Sequence, residues 1–136
     1  AMTHSAQLLD TFPHQPIPDR TALIACIEAS ASCAQACTAC ADACLSEDDV
    51  AMLADCISTN LVCADLCAAT ERLLSRRTTA DARLIRAMAT TCMLACRICA
   101  VMCERHATRH AHCQICAEAC RECEQACLDL ARSIEV

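Results

Sequence analysis

The sequence predicts an all-α protein, an up-down-up-down antiparallel four-helix bundle with a cysteine-lined core. Three features of the 136 residues carry that expectation. Gly is absent, and the three Pro (Pro13, Pro16 and Pro18) lie near the N-terminus, so no helix breaker follows them. Hydrophobic residues make up 56% but aromatics only 1%, Phe12 alone, which withholds the aromatic and Gly-turn content that a sandwich or barrel uses. The 17 cysteines recur mostly at steps of three and four, the period of a helix seam. The same counts exclude other classes. A Gly-rich phosphate loop needs Gly. A net charge of −6 with no stacking aromatics argues against a nucleic-acid partner. So apolar a chain is not disordered, and its length suits one domain.

Residues 1–17 read as a polar N-terminal arm with one helical turn at Ser5–Leu9, and residues 18–136 as the bundle domain. The first long helix is expected from Pro18 to Leu45, since Pro suits a first turn, where its missing N–H costs nothing. The second is expected from Glu47 to Arg77. Ser46 offers an N-cap with Asp49 three residues on, and Arg72, Arg76 and Arg77 suit the negative end of the helix dipole. The third runs from Thr79 to Ala107, with Thr78 and Asp81 in cap-like spacing, and the fourth from Arg109 to Ser133. Short links force successive helices to lie antiparallel.

The first helix carries Cys26, Cys33, Cys37, Cys40 and Cys44, and the second Cys56, Cys63 and Cys67. The third carries Cys92, Cys96, Cys99 and Cys103, and the fourth Cys113, Cys116, Cys120, Cys123 and Cys127. At about 100° per residue each set falls in a stripe no more than about 80° wide, so every cysteine points the same way on its own helix. Two steps of seven each skip one seam position, and those positions hold the polar Ser30 and Asn60.

One or two free cysteines act as small hydrophobes. Seventeen on four seams leave the axis under-filled, because bundle cores are packed by Leu, Ile, Val and Phe. The natural filling is metal. Thiolate is a soft ligand that selects Cu(I), Zn(II) or iron–sulfur clusters. Structural zinc uses closed four-ligand sites, so 17 thiolates would hold about four ions, with bridging needed for more. Iron–sulfur clusters are held by cysteines on loops. Cu(I) takes two or three thiolates and shares them, so 17 cysteines could hold roughly 17 ions, a count that also balances charge in a low-dielectric core. Seven complete Cys-x-x-x-Cys pairs (from Cys33/Cys37 to Cys123/Cys127) place thiols one helical turn apart. Two other readings stand beside Cu(I) storage: a zinc or mixed-metal thiolate buffer, and a disulfide-bonded redox bundle. The odd number of cysteines and the absence of loop-forming residues oppose the last.

The segments CAQACTACADAC (33–44), CADLCAAT (63–70), CRICAVMCERH (96–106) and HCQICAEACRECEQAC (112–127) resemble the copper storage proteins, cysteine-rich four-helix-bundle copper-binding proteins, over about residues 10–131. That resemblance implies a homo-oligomer, a tetramer, storing many Cu(I) ions along each bundle axis. A His-rich rather than Met-rich bundle mouth looks more like the cytosolic branch. Ser30 departs from the family pattern, where a continuous repeat would place a further Cys.

His106, His110 and His112 cluster at the expected turn between the third and fourth helices. They read either as plain turn residues or as metal residues that pass Cu(I) to Cys103 and Cys113, imidazole being a weaker copper ligand than paired thiolates. Met52 falls near the same end, and Met88 on the third-helix seam at the opposite end, as a core plug. Leu94, Ile98 and Val101, with Leu61 and Val62, fall on faces opposite the cysteines, which suggests a homo-oligomer interface. Asp, Glu or Arg interrupts each apolar run, so no membrane span is expected. Residues 1–20 lack the basic-then-apolar pattern of a secretory signal, and a cytoplasmic protein is expected. No enzyme is expected: there is no Glu-x-x-His for a di-iron site, and 17 equivalent cysteines nominate no nucleophile.

Overall fold

The computed structural model describes residues 3–13 and 19–134. A short helix α1 (Ser5–Asp10) precedes four long ones: α2 (Arg20–Leu45), α3 (Ala54–Ser75), α4 (Ala82–Glu104) and α5 (Ala111–Ser133). A 3-10 turn at Val50–Leu53 leads into α3, and no strand occurs among the described residues. Contacts join α2 to α3, α3 to α4, α4 to α5 and α5 back to α2, closing a ring around one axis. The connections are short, so neighbours run antiparallel, as the sequence predicts. Helix α1 packs on α2, where the Ser5 hydroxyl meets Glu28 at 3.5 Å and Asp10 pairs with Arg20 at 2.8 Å.

The helix boundaries differ from expectation, and local chemistry explains each shift. Pro16 and Pro18 lie outside the described residues. The first cap described is Asp19, whose carboxylate accepts from the Ala22 N–H. Asp19 has φ 49°, a left-handed conformation that Asp tolerates better than most residues. Ser46 does not start α3. It closes α2, its N–H bonding to Ala43 O, and Glu47–Asp49 form the turn. Asp81, not Thr78, caps α4 by accepting from the Arg83 N–H. Helix α4 stops at Glu104 rather than Ala107, and α5 begins at Ala111 rather than Arg109.

The core is a thiol column with an apolar plug. All 17 cysteines are buried, none more than 2% exposed. Ser30, Asn60 and Thr70 are buried with them, and Thr70 returns its hydroxyl to Leu66 O. Beyond the last cysteines, at the end formed by the start of α2 and α4 and the finish of α3 and α5, Leu23, Leu74, Ile85 and Leu130 are buried and form an apolar plug. Ala89 takes the buried seam position there, and Met88, expected as the plug, is only half-buried. Outside, Arg121 bridges Glu104 of α4 and Glu124 of α5 at 2.8 and 2.9 Å, and Arg97 reaches Glu124 at 2.7 Å. Such partly exposed pairs contribute about 0–1 kcal/mol each. Ala-rich helices and the plug carry more of the metal-free fold.

One expectation is corrected by composition. The helical stretches Arg20–Leu45, Val50–Ser75 and Ala82–Glu104 are each long and apolar enough to cross a membrane. Cysteine and alanine supply much of that apolarity, and the cysteines face the bundle axis.

Candidate metal centre

Four helices each present one thiol stripe to the axis, so neighbouring stripes interleave. Within a helix, Cys33/Cys37, Cys63/Cys67 and Cys123/Cys127 lie 3.8, 3.9 and 3.9 Å apart at Sγ. Contacts between helices are as short. Cys26 meets Cys127 at 3.6 Å, Cys67 meets Cys92 at 3.7 Å and Cys96 at 3.6 Å, and Cys37 meets Cys116 and Cys120 at 3.6 Å. All 17 thiols are unbridged.

These thiols gather into groups whose ligand atoms all lie within 4.8 Å of one another, and the groups overlap. Cys33, Cys63, Cys67 and Cys96 form one, and Cys67 and Cys96 recur in the next with Cys92 and Cys123. Cys33 and Cys63 recur with Cys37 and Cys120, and those two recur with Cys99 and Cys116. Isolated four-ligand zinc sites would not share members in this way, whereas metals held by bridging thiolates would.

Asn60 interrupts the column at a skipped seam position. Its Oδ1 accepts from the Cys99, Cys116 and Cys103 thiols at 3.0, 3.2 and 3.5 Å, and its Nδ2 donates to Cys56 at 3.6 Å. Ser30, at the other skipped position, places its hydroxyl 3.7 Å from Cys123 and 4.0 Å from Cys26. Both positions are legible in the sequence, but the threefold acceptor role of Asn60 is not.

The end opposite the plug is the mouth. Here the turn after α2 meets the turn before α5, as the sequence predicts, bringing Cys40, Cys44 and Cys113 together with His112. His112 Nδ1 lies 3.4 Å from Cys40 and 3.6 Å from Cys113, while its Nε2 lies 2.8 Å from Glu47. His110 stacks on His112, centroids 5.4 Å apart, with Nδ1 2.8 Å from Glu47 and Nε2 3.1 Å from Asp49. His106 Nδ1 is buried without a hydrogen-bond partner. Met52, expected near the seam, is exposed. Glu47 and Asp49 are the neighbours of this cluster that sequence reasoning missed: Glu47 meets His110 and His112, and Asp49 meets His110, all more than sixty residues away.

Burial pushes the Cys113 thiol up to about 12, and also raises Cys44. Cys56 moves the other way: its hydrogen bond with Cys103 favours the thiolate, followed by Cys40, with the His106 charge adding to the shift. Cys44 and Cys113 are thus shifted toward the thiol and Cys56 toward the thiolate, the form that binds metal.

A family model described as copper storage protein matches residues 19–132. The chain belongs to the copper storage protein family. The similar proteins agree with that membership. The copper storage protein Ccsp of Streptomyces lividans, in a structure loaded with 10 copper equivalents, is 52% identical with a TM-score of 0.92. That match covers 94% of this chain and 98% of the other. A structure described as copper loading to a cytosolic copper storage protein from the same organism, with five coppers, is 55% identical with a TM-score of 0.82 over 84% of this chain and 95% of that one. An uncharacterized cysteine-rich protein of Bacillus subtilis (strain 168), YhjQ, is 35% identical over 107 residues, 79% of this chain and 94% of its own length.

Proposed function

We propose that this copper storage family member holds Cu(I) at high capacity, as thiolates lining the bundle axis. The observation that carries the reading is the unbridged column of 17 buried thiols, in overlapping groups that share members along the axis. One deprotonated thiol per Cu(I) leaves the filled core neutral, which a low-dielectric interior requires. All 17 cysteines form the ligand set, with His106 and His112 as metal residues at the mouth; His110, expected as a third, turns both ring nitrogens to Glu47 and Asp49 instead. The role is storage rather than catalysis. A buffer of isolated zinc sites is disfavoured by the shared thiols, since each such site would use its four thiolates once.

Two finer points belong to the same proposal. The Streptomyces relative is described as cytosolic, and its thiol-preserving compartment suits 17 free cysteines here, so we place this protein in the cytoplasm. An exposed apolar groove between α3 and α4, walled by Val62, Leu66, Leu94 and Ile98, continues into exposed Leu61 and Val101. We assign that face to contacts between copies of this chain in a homotetramer.

Anaerobic titration with Cu(I) and with Zn(II), followed by metal analysis after desalting, tests the function. Well over ten tightly held Cu(I) per chain is expected from thiolate sharing. Saturation at about four ions with either metal would overturn it in favour of a zinc-type buffer.

A further inference from the structure

We propose that Glu47 is a positioning residue for copper uptake: its carboxylate fixes His112 in the tautomer that leaves Nδ1 bare toward Cys40 and Cys113. The proposal deepens the storage reading and rests on it for its copper arm.

Glu47 Oε2 lies 2.8 Å from His112 Nε2. An ionised carboxylate only accepts hydrogen bonds, so Nε2 carries the hydrogen. A neutral imidazole has one N–H, so Nδ1 keeps its lone pair. That lone pair lies 3.4 Å from the Cys40 sulfur and 3.6 Å from that of Cys113, with Cys44 in the same four-member group. A carboxylate behind a metal-binding imidazole sets its orientation and raises its basicity.

His110 plays a different part in the same assembly. Its Nδ1 and Nε2 both lie against carboxylates, of Glu47 and Asp49, so neither nitrogen is bare toward a thiol. Its ring stacks on His112 at an interplanar angle of 18°. His110 therefore braces Glu47 and the His112 ring while His112 presents the nitrogen. Glu47 sits in the turn between α2 and the 3-10 turn, with its oxygen shared by two imidazoles.

The test joins a spectroscopic readout on metal-free protein to a copper readout. In reduced wild-type protein at mildly alkaline pH, imidazole nitrogen chemical shifts should show His112 protonated at Nε2 and bare at Nδ1. Glu47→Ala should mix the tautomers and weaken capture of the first Cu(I) about 10–100-fold, the usual cost of losing such a partner. Glu47→Gln, whose carboxamide can accept from Nε2–H or donate to a bare Nε2, should hold the tautomer less firmly than wild type. Asp48→Ala removes the same charge from the same turn at an exposed residue and should behave as wild type. Far-UV circular dichroism checks that each variant folds. A wild-type His112 protonated at Nδ1, or a folded Glu47→Ala variant that captures copper like Asp48→Ala, would overturn the proposal. Failure of the storage reading shows elsewhere, as wild-type saturation at about four ions.

Discussion

Replacing Cys96 with Ser separates a shared thiolate column from a set of independent clusters. Cys96 lies 3.6 Å from Cys67, 3.9 Å from Cys63 and 4.0 Å from Cys33, and it belongs to two overlapping four-thiol groups. If each Cu(I) is held by two thiolates and each thiolate serves two ions, sixteen thiolates still serve about sixteen ions. The expected loss is therefore about one ion, or two if the neighbours of the new hydroxyl cannot close the gap. The metal-free fold should tolerate the change. Ser30 already sits at a seam position within 4.0 Å of two thiols, so stability should move by no more than about 1 kcal/mol. Cys26→Ser is the matched comparison: its thiol neighbour is Cys127 at 3.6 Å, at the plugged end, and it should lose one ion at most. The assay is anaerobic loading, removal of loose copper, and counting of retained Cu(I) with a chromophoric chelator. Loss of most of the bound copper from Cys96→Ser, in protein that remains helical, would refute the shared-column argument and point to one cooperative cluster.

Two further outcomes follow from the geometry. Burial raises Cys113 to about 12 from an ordinary 9.0 and raises Cys44 in the same sense. A thiol held protonated by folding contributes stability fully present below its unfolded value, and that stability is lost as pH rises through the folded one. Metal-free protein should accordingly lose thermal stability between about pH 9 and 12, and a melting temperature unchanged across that window would contradict the assignment. Placing a charge in the α3–α4 groove with Ile98→Glu should break the proposed homotetramer. Light scattering should then report a smaller species with helicity retained, whereas a mass equal to that of the wild type would remove the groove from the interface.

The bundle and its seams were legible because both are periodic. Steps of three and four from Cys33 to Cys44 and from Cys113 to Cys127 determine which side of each helix faces the axis, whatever the partner. The skipped positions Ser30 and Asn60 were legible for the same reason. The turns were not. Ser46 with Asp49 three residues on has the local form of a helix start, yet Asp49 and Glu47 are engaged by His110 and His112 of a distant turn. A local motif competes with a contact more than sixty residues away, and the sequence pattern carries no trace of that contact. Asp81 prevails over Thr78 as the α4 cap because its carboxylate meets both the Arg83 N–H and the Arg83 guanidinium. Thr70 and Leu74 extend the α3 seam beyond Cys67. A search confined to cysteine stops too early, although the same spacing continues in other residue types.

The leucine and isoleucine plug at one end makes the column a blind tube. Leu23, Leu74, Ile85 and Leu130 offer copper no ligand there, so on the proposed function traffic would pass the histidine end in both directions. A one-mouthed tube imposes an order of turnover. Ions beside Cys40, Cys44 and Cys113 would stand first in line to leave, while those between Cys26, Cys123 and Cys127 would wait until the positions in front of them had emptied. Residence time would then be set by depth as much as by bond strength, and chemically similar thiolate sites would divide into a fast-exchanging pool and a long-held reserve within a single chain.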